Sequence, residues 1–196
     1  MNIGFGNYIR LDRRLAARAV CAAALVLAGP AAAVIPLEDT PWWRSVDEEY
    51  ATGGAFADLD GDGWLDLVVA NGNDMASEAD AVFYNRRGEL EAEASWRSGD
   101  FGYDGHLDVG DVDRDGDADV VIAALLDPEL EQLYENEGGQ LSVWPVWRNA
   151  EPDNSFSCAL GDVDGDGDLD LATVSGYFGT APVLVYRNDG GTLERV

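Results

Sequence analysis

The chain has 196 residues, 38 of them Asp or Glu against 12 Arg and no Lys, for a formal net charge of −26. So acidic a surface disfavours nucleic acid and anionic membranes, whose phosphates attract basic faces. Six Trp, seven Tyr and 46% hydrophobic residues are more apolar material than a disordered acidic tail carries, and the length suffices for one ordinary domain.

Residues 1–33 read as a secretory signal peptide. Arg10, Arg13, Arg14 and Arg18 precede an apolar run at 19–27, and Ala31, Ala32 and Ala33 offer a cleavage site before Val34. A membrane-spanning helix is the competing reading, but Gly29-Pro30 interrupts the run short of the roughly 20 residues a bilayer requires. Leu15-Ala16 after the Arg13-Arg14 pair is a weak match to twin-arginine export, so general secretion is expected. The expected location is secreted, extracellular or periplasmic, with surface attachment left open, and no membrane span after cleavage. Removing the segment discards Cys21 and leaves Cys158 alone, so no intrachain disulfide forms and Cys158 is expected to be a small buried core residue.

Residues 34–196 form the repeat region. Three copies of one acidic nine-residue pattern occur: Asp58, Asp60, Asp62, Asp66; Asp111, Asp113, Asp115, Asp119; and Asp162, Asp164, Asp166, Asp170. Trp43-Arg44, Trp96-Arg97 and Trp147-Arg148 each stand fifteen residues before the first Asp of a copy, so the repeat is larger than the loop, with periods of 53 and 51 residues. Alternating apolar and small residues at 54–57, 106–110 and 156–160 predict a first strand in each repeat. The runs at 65–69, 118–122 and 169–174 predict a second, and 81–85, 132–136 and 183–188 a third. Turns at 85–88, 136–139 and 188–191 are built from residues that tolerate positive φ, and a fourth strand is expected at 90–96, at 141–147 and from Thr192.

This pattern predicts an all-β chain of three four-stranded antiparallel blades, at about 44–96, 97–147 and 148–196. Closed propellers have about four to eight blades, so the expectation is an incomplete, partial β-propeller. Residues 34–43 read as a fourth strand lacking its first three. The alternatives are a truncated fragment with missing C-terminal blades and a piece that closes by self-association, since open strand edges invite pairing.

The acidic loops suit calcium, which takes six to eight oxygen ligands at flexible geometry. Carboxylates at loop positions 1, 3, 5 and 9 and a backbone carbonyl at 7 give three candidate sites: Asp58, Asp60, Asp62, Trp64 (backbone O) and Asp66; Asp111, Asp113, Asp115, Asp117 (backbone O) and Asp119; Asp162, Asp164, Asp166, Asp168 (backbone O) and Asp170. Gly63, Gly116 and Gly167 at position 6 allow a sharp bend, and positions 2, 8 and 10 are expected to face the blade core. An EF-hand is the main competing reading. Its bidentate carboxylate at position 12 is missing, for Val69, Ile122 and Thr173 stand there, and strand-like rather than helical sequence flanks the loops. Magnesium prefers smaller octahedral sites, and zinc lacks His and Cys partners.

The pattern resembles FG-GAP or VCBS calcium-binding repeats, the propeller blade also found in integrin α-chain heads, over residues 43–196. Its most specific element is 54–69, and the signatures Phe101-Gly102 and Ala181-Pro182 are partial. The resemblance implies calcium-stiffened blades in a secreted or cell-surface module that mediates adhesion by binding an extracellular protein or glycan. Strand alternation puts the calcium loops opposite a candidate ligand face at 71–80, 97–105, 127–131, 148–155 and 176–180, where Tyr103, Tyr177 and Phe178 are either contacts or blade packing. The Trp-Arg pairs are expected to be architectural, with Trp between blades and Arg bonding a neighbouring loop. No catalytic residue is expected, His106 being the one histidine and without a partner suggested by spacing. The alternative is the non-catalytic propeller part of a secreted hydrolase or lyase.

Overall fold

The computed structural model describes residues 39–126, 128–152, 154–176 and 182–195. The expected signal peptide, the start of the strand expected at 34–43, Tyr177 and Phe178 lie outside the described residues. The chain divides into units Met1–Trp42 and Trp43–Val196. The described part of the first, residues 39–42, carries no regular element. All that follows concerns the second.

Its strands are β1 (Ala51–Ala57), β2 (Asp66–Asn71), β3 (Ala81–Phe83), β4 (Trp96–Arg97), β5 (Asp104–Gly110), β6 (Asp119–Ala124), β7 (Gln132–Tyr134), β8 (Trp147–Arg148), β9 (Ser155–Gly161), β10 (Asp170–Ser175), β11 (Val183–Asn188) and β12 (Leu193–Arg195). They form three four-stranded antiparallel meanders in sequence order, the blades of a partial β-propeller, with no helix among the described residues. The second strand of each sheet is nearly or fully buried in the first two sheets, which explains its β-branched run. The first strands β1, β5 and β9 lie side by side. Thr52 Oγ1 donates to Gly105 O at 2.8 Å and Cys158 Sγ contacts His106 O at 3.7 Å, tying each first strand to its neighbour.

The core sits between sheets. Leu59, Val68, Ala70, Val82 and Trp96 of the first sheet meet Leu107, Ile122 and Tyr134, and Val112, Val121 and Leu133 of the second meet Cys158, Leu171 and Tyr186. The three Trp residues pack as one recurring joint. Trp43, Trp96 and Trp147 stack edge-on against Phe83, Tyr134 and Tyr186 at centroid separations of 5.3, 5.6 and 5.4 Å. Their indole N–H groups donate to Leu90 O, Leu141 O and Leu193 O, the residue that follows the hairpin turn of the next repeat. Each such aromatic pair adds about 0.5–1.5 kcal/mol beyond its area burial. Arg97 pairs with Asp47 at 3.1 Å and Glu49 at 2.5 Å, and Arg148 with Asp100, so these arginines bond the preceding linker as expected. Cys158 is buried, and burial pushes its thiol up to about 12.

Two expectations change. The fourth strand is not continuous over 90–96 or 141–147: Glu91 N bonds Tyr84 O and Ser95 N bonds Val82 O, leaving two extra residues that bulge outward, as Ser142 and Val146 do in the second sheet. The bulge carbonyls of Ala92 and Val143 accept from Val46 N and Gly99 N, so the linker after each Trp-Arg pair docks there. Positions 2 and 8 of the acidic loops do not all face the core either. Leu59 and Val112 are 1% exposed, but Val163 is 62% exposed and Leu65 56%. Only the presence of an adjoining sheet separates them.

Candidate metal-binding turns

Each acidic turn is wound by its own carboxylates. Gly63 N donates to Asp58 Oδ2 at 2.9 Å, Gly116 N to Asp111 Oδ2 at 3.1 Å and Gly167 N to Asp162 Oδ2 at 3.1 Å. The amides of Trp64, Asp117 and Asp168 donate at 2.9 Å to Asp62, Asp115 and Asp166, tethering position 7 to position 5. Position 6 adopts φ of 90, 103 and 94°, which requires glycine. Position 4 is also left-handed, and there Arg114 carries φ 66° where the other turns have Gly61 and Gly165.

Carboxylate oxygens of Asp58, Asp60 and Asp62 lie within 4.8 Å of one another, as do those of Asp111, Asp113 and Asp115, and of Asp162, Asp164 and Asp170. Asp66, Asp119 and Asp166 fall outside these groups. Position 9 has a second task. Asp66 takes Leu59 N on one oxygen (2.9 Å) and Asn85 N on the other (2.7 Å); Asp119 does the same with Val112 and Asn136, and Asp170 with Val163 and Asn188. Each of these buried carboxylates clamps the turn to the end of the third strand. Burial raises the carboxyl of Asp66 and brings that of Asp119 up to about 6, against the lowering effect of those amides.

The donor set fits a hard divalent cation. It is all oxygen, and Asp58 Oδ1 and Asp111 Oδ1 are buried without a hydrogen-bond partner, an arrangement that costs free energy unless a cation or water completes it. Position 3 differs among the turns. Arg86 Nη1 holds Asp60 at 2.7 Å and Arg187 holds Asp164, whereas Glu135 shares a hydrogen bond with Asp113 that raises the Glu135 carboxyl. Arg114 reaches into the third turn, donating to Gly167 O and Asp166 O at 3.2 Å and pairing with Asp168.

Sequence reading placed the Asn at the end of each third strand in a turn for its tolerance of positive φ; none of the three has positive φ, and the role of its side chain was missed. Asn136 Nδ2 donates to Leu59 O (2.9 Å) and Ala118 O (3.1 Å), and Asn188 Nδ2 to Val112 O (2.7 Å) and Leu169 O (3.1 Å), so each joins its own turn to that of the preceding sheet. Its fixed offset in all three repeats was the available signal. It also missed the acids beneath the opposite face, where Asp80, at the end of the stretch 71–80 expected on the candidate ligand face, is 1% exposed and accepts Asn71 N at 3.0 Å. Asp104 and Glu131 are equally buried. Asp104 Oδ1 accepts from Gln132, and Tyr134 donates to Asp100 at 2.8 Å. His106 lies within β5, exposed, with Nδ1 3.1 Å from Leu107 O.

Residues 49–122 match the family model of the FG-GAP-like repeat, so this stretch, which contains the first two acidic turns, is an FG-GAP-type repeat region. No match to the chain is found among curated proteins.

Proposed function

From an FG-GAP-like repeat region whose turns gather carboxylates, we propose an exported calcium-binding repeat module that is not an enzyme. Calcium at the three turns is structural, and the opposite loop face binds an extracellular protein or glycan in adhesion. The observation that carries the reading is the pair of buried, unpartnered oxygens Asp58 Oδ1 and Asp111 Oδ1, each inside an all-oxygen cluster at the same place in its repeat. Asp58, Asp60 and Asp62 in the first turn, Asp111, Asp113 and Asp115 in the second, and Asp162, Asp164 and Asp170 in the third would hold the ion. It would supply the positive charge that lets three adjacent carboxylates stay ionised without mutual repulsion. The clamps at Asp66, Asp119 and Asp170 keep the turns closed around it.

The ligand face is supported by the loops that meet at the far end of the strands, where Glu78 and Gly102 exchange backbone hydrogen bonds at 3.1 Å and Leu125 N bonds Tyr103 O. Met75 and Phe101 stand exposed there. Titration calorimetry with calcium on the purified chain tests the metal reading. Heat of binding with close to three sites is expected, reduced by one in Asp58→Asn and again in Asp58→Asn/Asp111→Asn. No uptake at millimolar calcium overturns it. A glycan and matrix-protein array, read with wild type and Phe101→Ala, tests the face.

A further inference from the structure

We propose that the third acidic turn is held shut by arginine in the absence of metal, with Arg114 of the second turn as the lock, so that the turns take up calcium in a fixed order: second, then first, then third. The inference rests on the calcium reading of the turns and adds which site fills last and what delays it.

The bonding of the ligand oxygens carries it. In the third group every carboxylate oxygen already has a partner. Asp162 Oδ1 accepts from Gly165 N at 2.7 Å and Oδ2 from Gly167 N at 3.1 Å. Asp164 Oδ1 accepts from Asp166 N at 3.2 Å, and Oδ2 pairs with Arg187. Asp170 Oδ1 and Oδ2 take Asn188 N and Val163 N at 2.8 and 2.9 Å. A cation entering this turn has to displace or share a bond at each oxygen it takes. The first two turns differ at position 1, where Asp58 Oδ1 and Asp111 Oδ1 are buried and have no bond to give up. An unmade bond on a buried oxygen favours a cation, and a made one opposes it.

Arg114 reaches the third turn from the second. Its backbone adopts φ 66°, in the left-handed region, at a position that the other two turns give to Gly61 and Gly165, so an arginine stands there against a conformational cost. Its guanidinium donates to Gly167 O and Asp166 O at 3.2 Å and pairs with Asp168. A Cβ on Gly167 would lie 3.0 Å from Nη2. Holding these two carbonyls fixes the turn in the form in which Gly165 N and Gly167 N both reach Asp162. The third turn also departs from the others at this point, for Asp166 stands outside its carboxylate group, whereas Asp62 and Asp115 belong to theirs.

The remaining arginines set the rest of the order. Glu135 faces position 3 of the second turn, Arg86 holds position 3 of the first, and the third is engaged by both Arg187 and Arg114. Each guanidinium competes with a divalent cation for the same negative charge.

The test is a calcium titration of the full chain followed by the amide chemical shifts of Gly63, Gly116 and Gly167, each of which bonds the first carboxylate of its own turn. Gly116 should respond first and Gly63 next, and Gly167 should need at least about tenfold more calcium than Gly116, the cost of exchanging one or two hydrogen bonds. Arg114→Gly suits the backbone, as Gly61 and Gly165 do. It should bring the Gly167 response to about three- to tenfold lower calcium. Loss of charge alone would act on both turns, so Gly116 should move by less than about twofold. In excess chelator, hydrogen exchange at the Gly165 amide should quicken in Arg114→Gly while Gly63 stays as in wild type, which reads the lock without any metal. Unchanged exchange at Gly165, an unchanged Gly167 response in the variant, an equal change at Gly116, or a wild-type Gly167 that responds with or before the other two overturns the proposal. If none of the three glycines responds to calcium, the metal reading itself falls and the order of filling with it.

Discussion

At the scale of single residues, the ninth position of each acidic turn separates folding from metal holding. Asp66 takes the amides of Leu59 and Asn85, so Asp66→Ala leaves two donors unsatisfied, each at about 1–3 kcal/mol. Chemical denaturation in excess chelator should therefore show Asp66→Ala less stable than wild type by about 2–4 kcal/mol. Asp62→Ala, at an exposed position, should differ by less than about 1 kcal/mol under the same conditions. Equal losses would mean that the carboxylate at position 9 holds nothing in the metal-free protein. Arg86 tests the other side of the site. Its exposed pair with Asp60 is worth about 0–1 kcal/mol and competes with a cation for the same oxygen. Arg86→Ala should tighten calcium at the first turn by up to about fivefold, with no change at the second, where Glu135 faces Asp113. Titrating Arg86→Ala and the wild type against a calcium indicator resolves this.

Among elements, the indole joint carries the contact between sheets. Trp96 is buried, stacks on Tyr134 and donates to Leu141 O at 3.1 Å. Trp96→Phe keeps a ring and loses the donor, which should cost about 1 kcal/mol, while Trp96→Ala also opens a cavity and should cost about 3–5 kcal/mol. Thermal melts of the two variants with the metal removed check the ratio. The strands themselves were legible because period-two alternation and turn chemistry are local. The hairpin turns show it: Arg87 and Gly88, Gly138 and Gly139, and Gly190 and Gly191 all have positive φ, as two-residue primed turns require. The break in the fourth strand was not legible, since the bulge at 91–95 is fixed by Val46 docking from 46 residues away in the chain's own linker. Residue composition at 90–96 gives no sign of it.

For the molecule as a whole, acidic groups are distributed over both ends of the strands, and the two ends respond to pH differently from a typical protein surface. Asp80 lies between strands of the first sheet with Asp100 and Asp104 as its carboxylate neighbours, and burial pushes its carboxyl from 3.8 up to about 7. Asp104 is raised well above its ordinary value by burial first and then by Asp80, Glu129, Asp100 and Glu131. A carboxyl that holds its proton more tightly when folded favours the fold at low pH. The contribution is complete below about 4 and is lost as pH rises through about 7. In metal-free buffer the melting temperature should therefore fall from pH 5 to pH 8. Asp80→Asn, which keeps the shape and removes the proton exchange, should flatten that fall; an identical profile in the variant would show that Asp80 is ionised throughout.

The sequence by itself determined the repeat, the three acidic turns, the strand order and the burial of Cys158, because each follows from spacing, alternation and backbone chemistry within about fifty residues. The tertiary structure alone decided that Asp66 clamps a turn, that Asp80 and Asp104 are buried, that Arg86 and Arg187 sit on candidate ligands, and that Val163 is open where Leu59 and Val112 are closed. Positions 59, 112 and 163 are equivalent in the chain. Burial is a property of what lies alongside in space, and three equivalent turns acquire different surroundings because, among the described residues, a neighbouring sheet covers Leu59 and Val112 but not Val163.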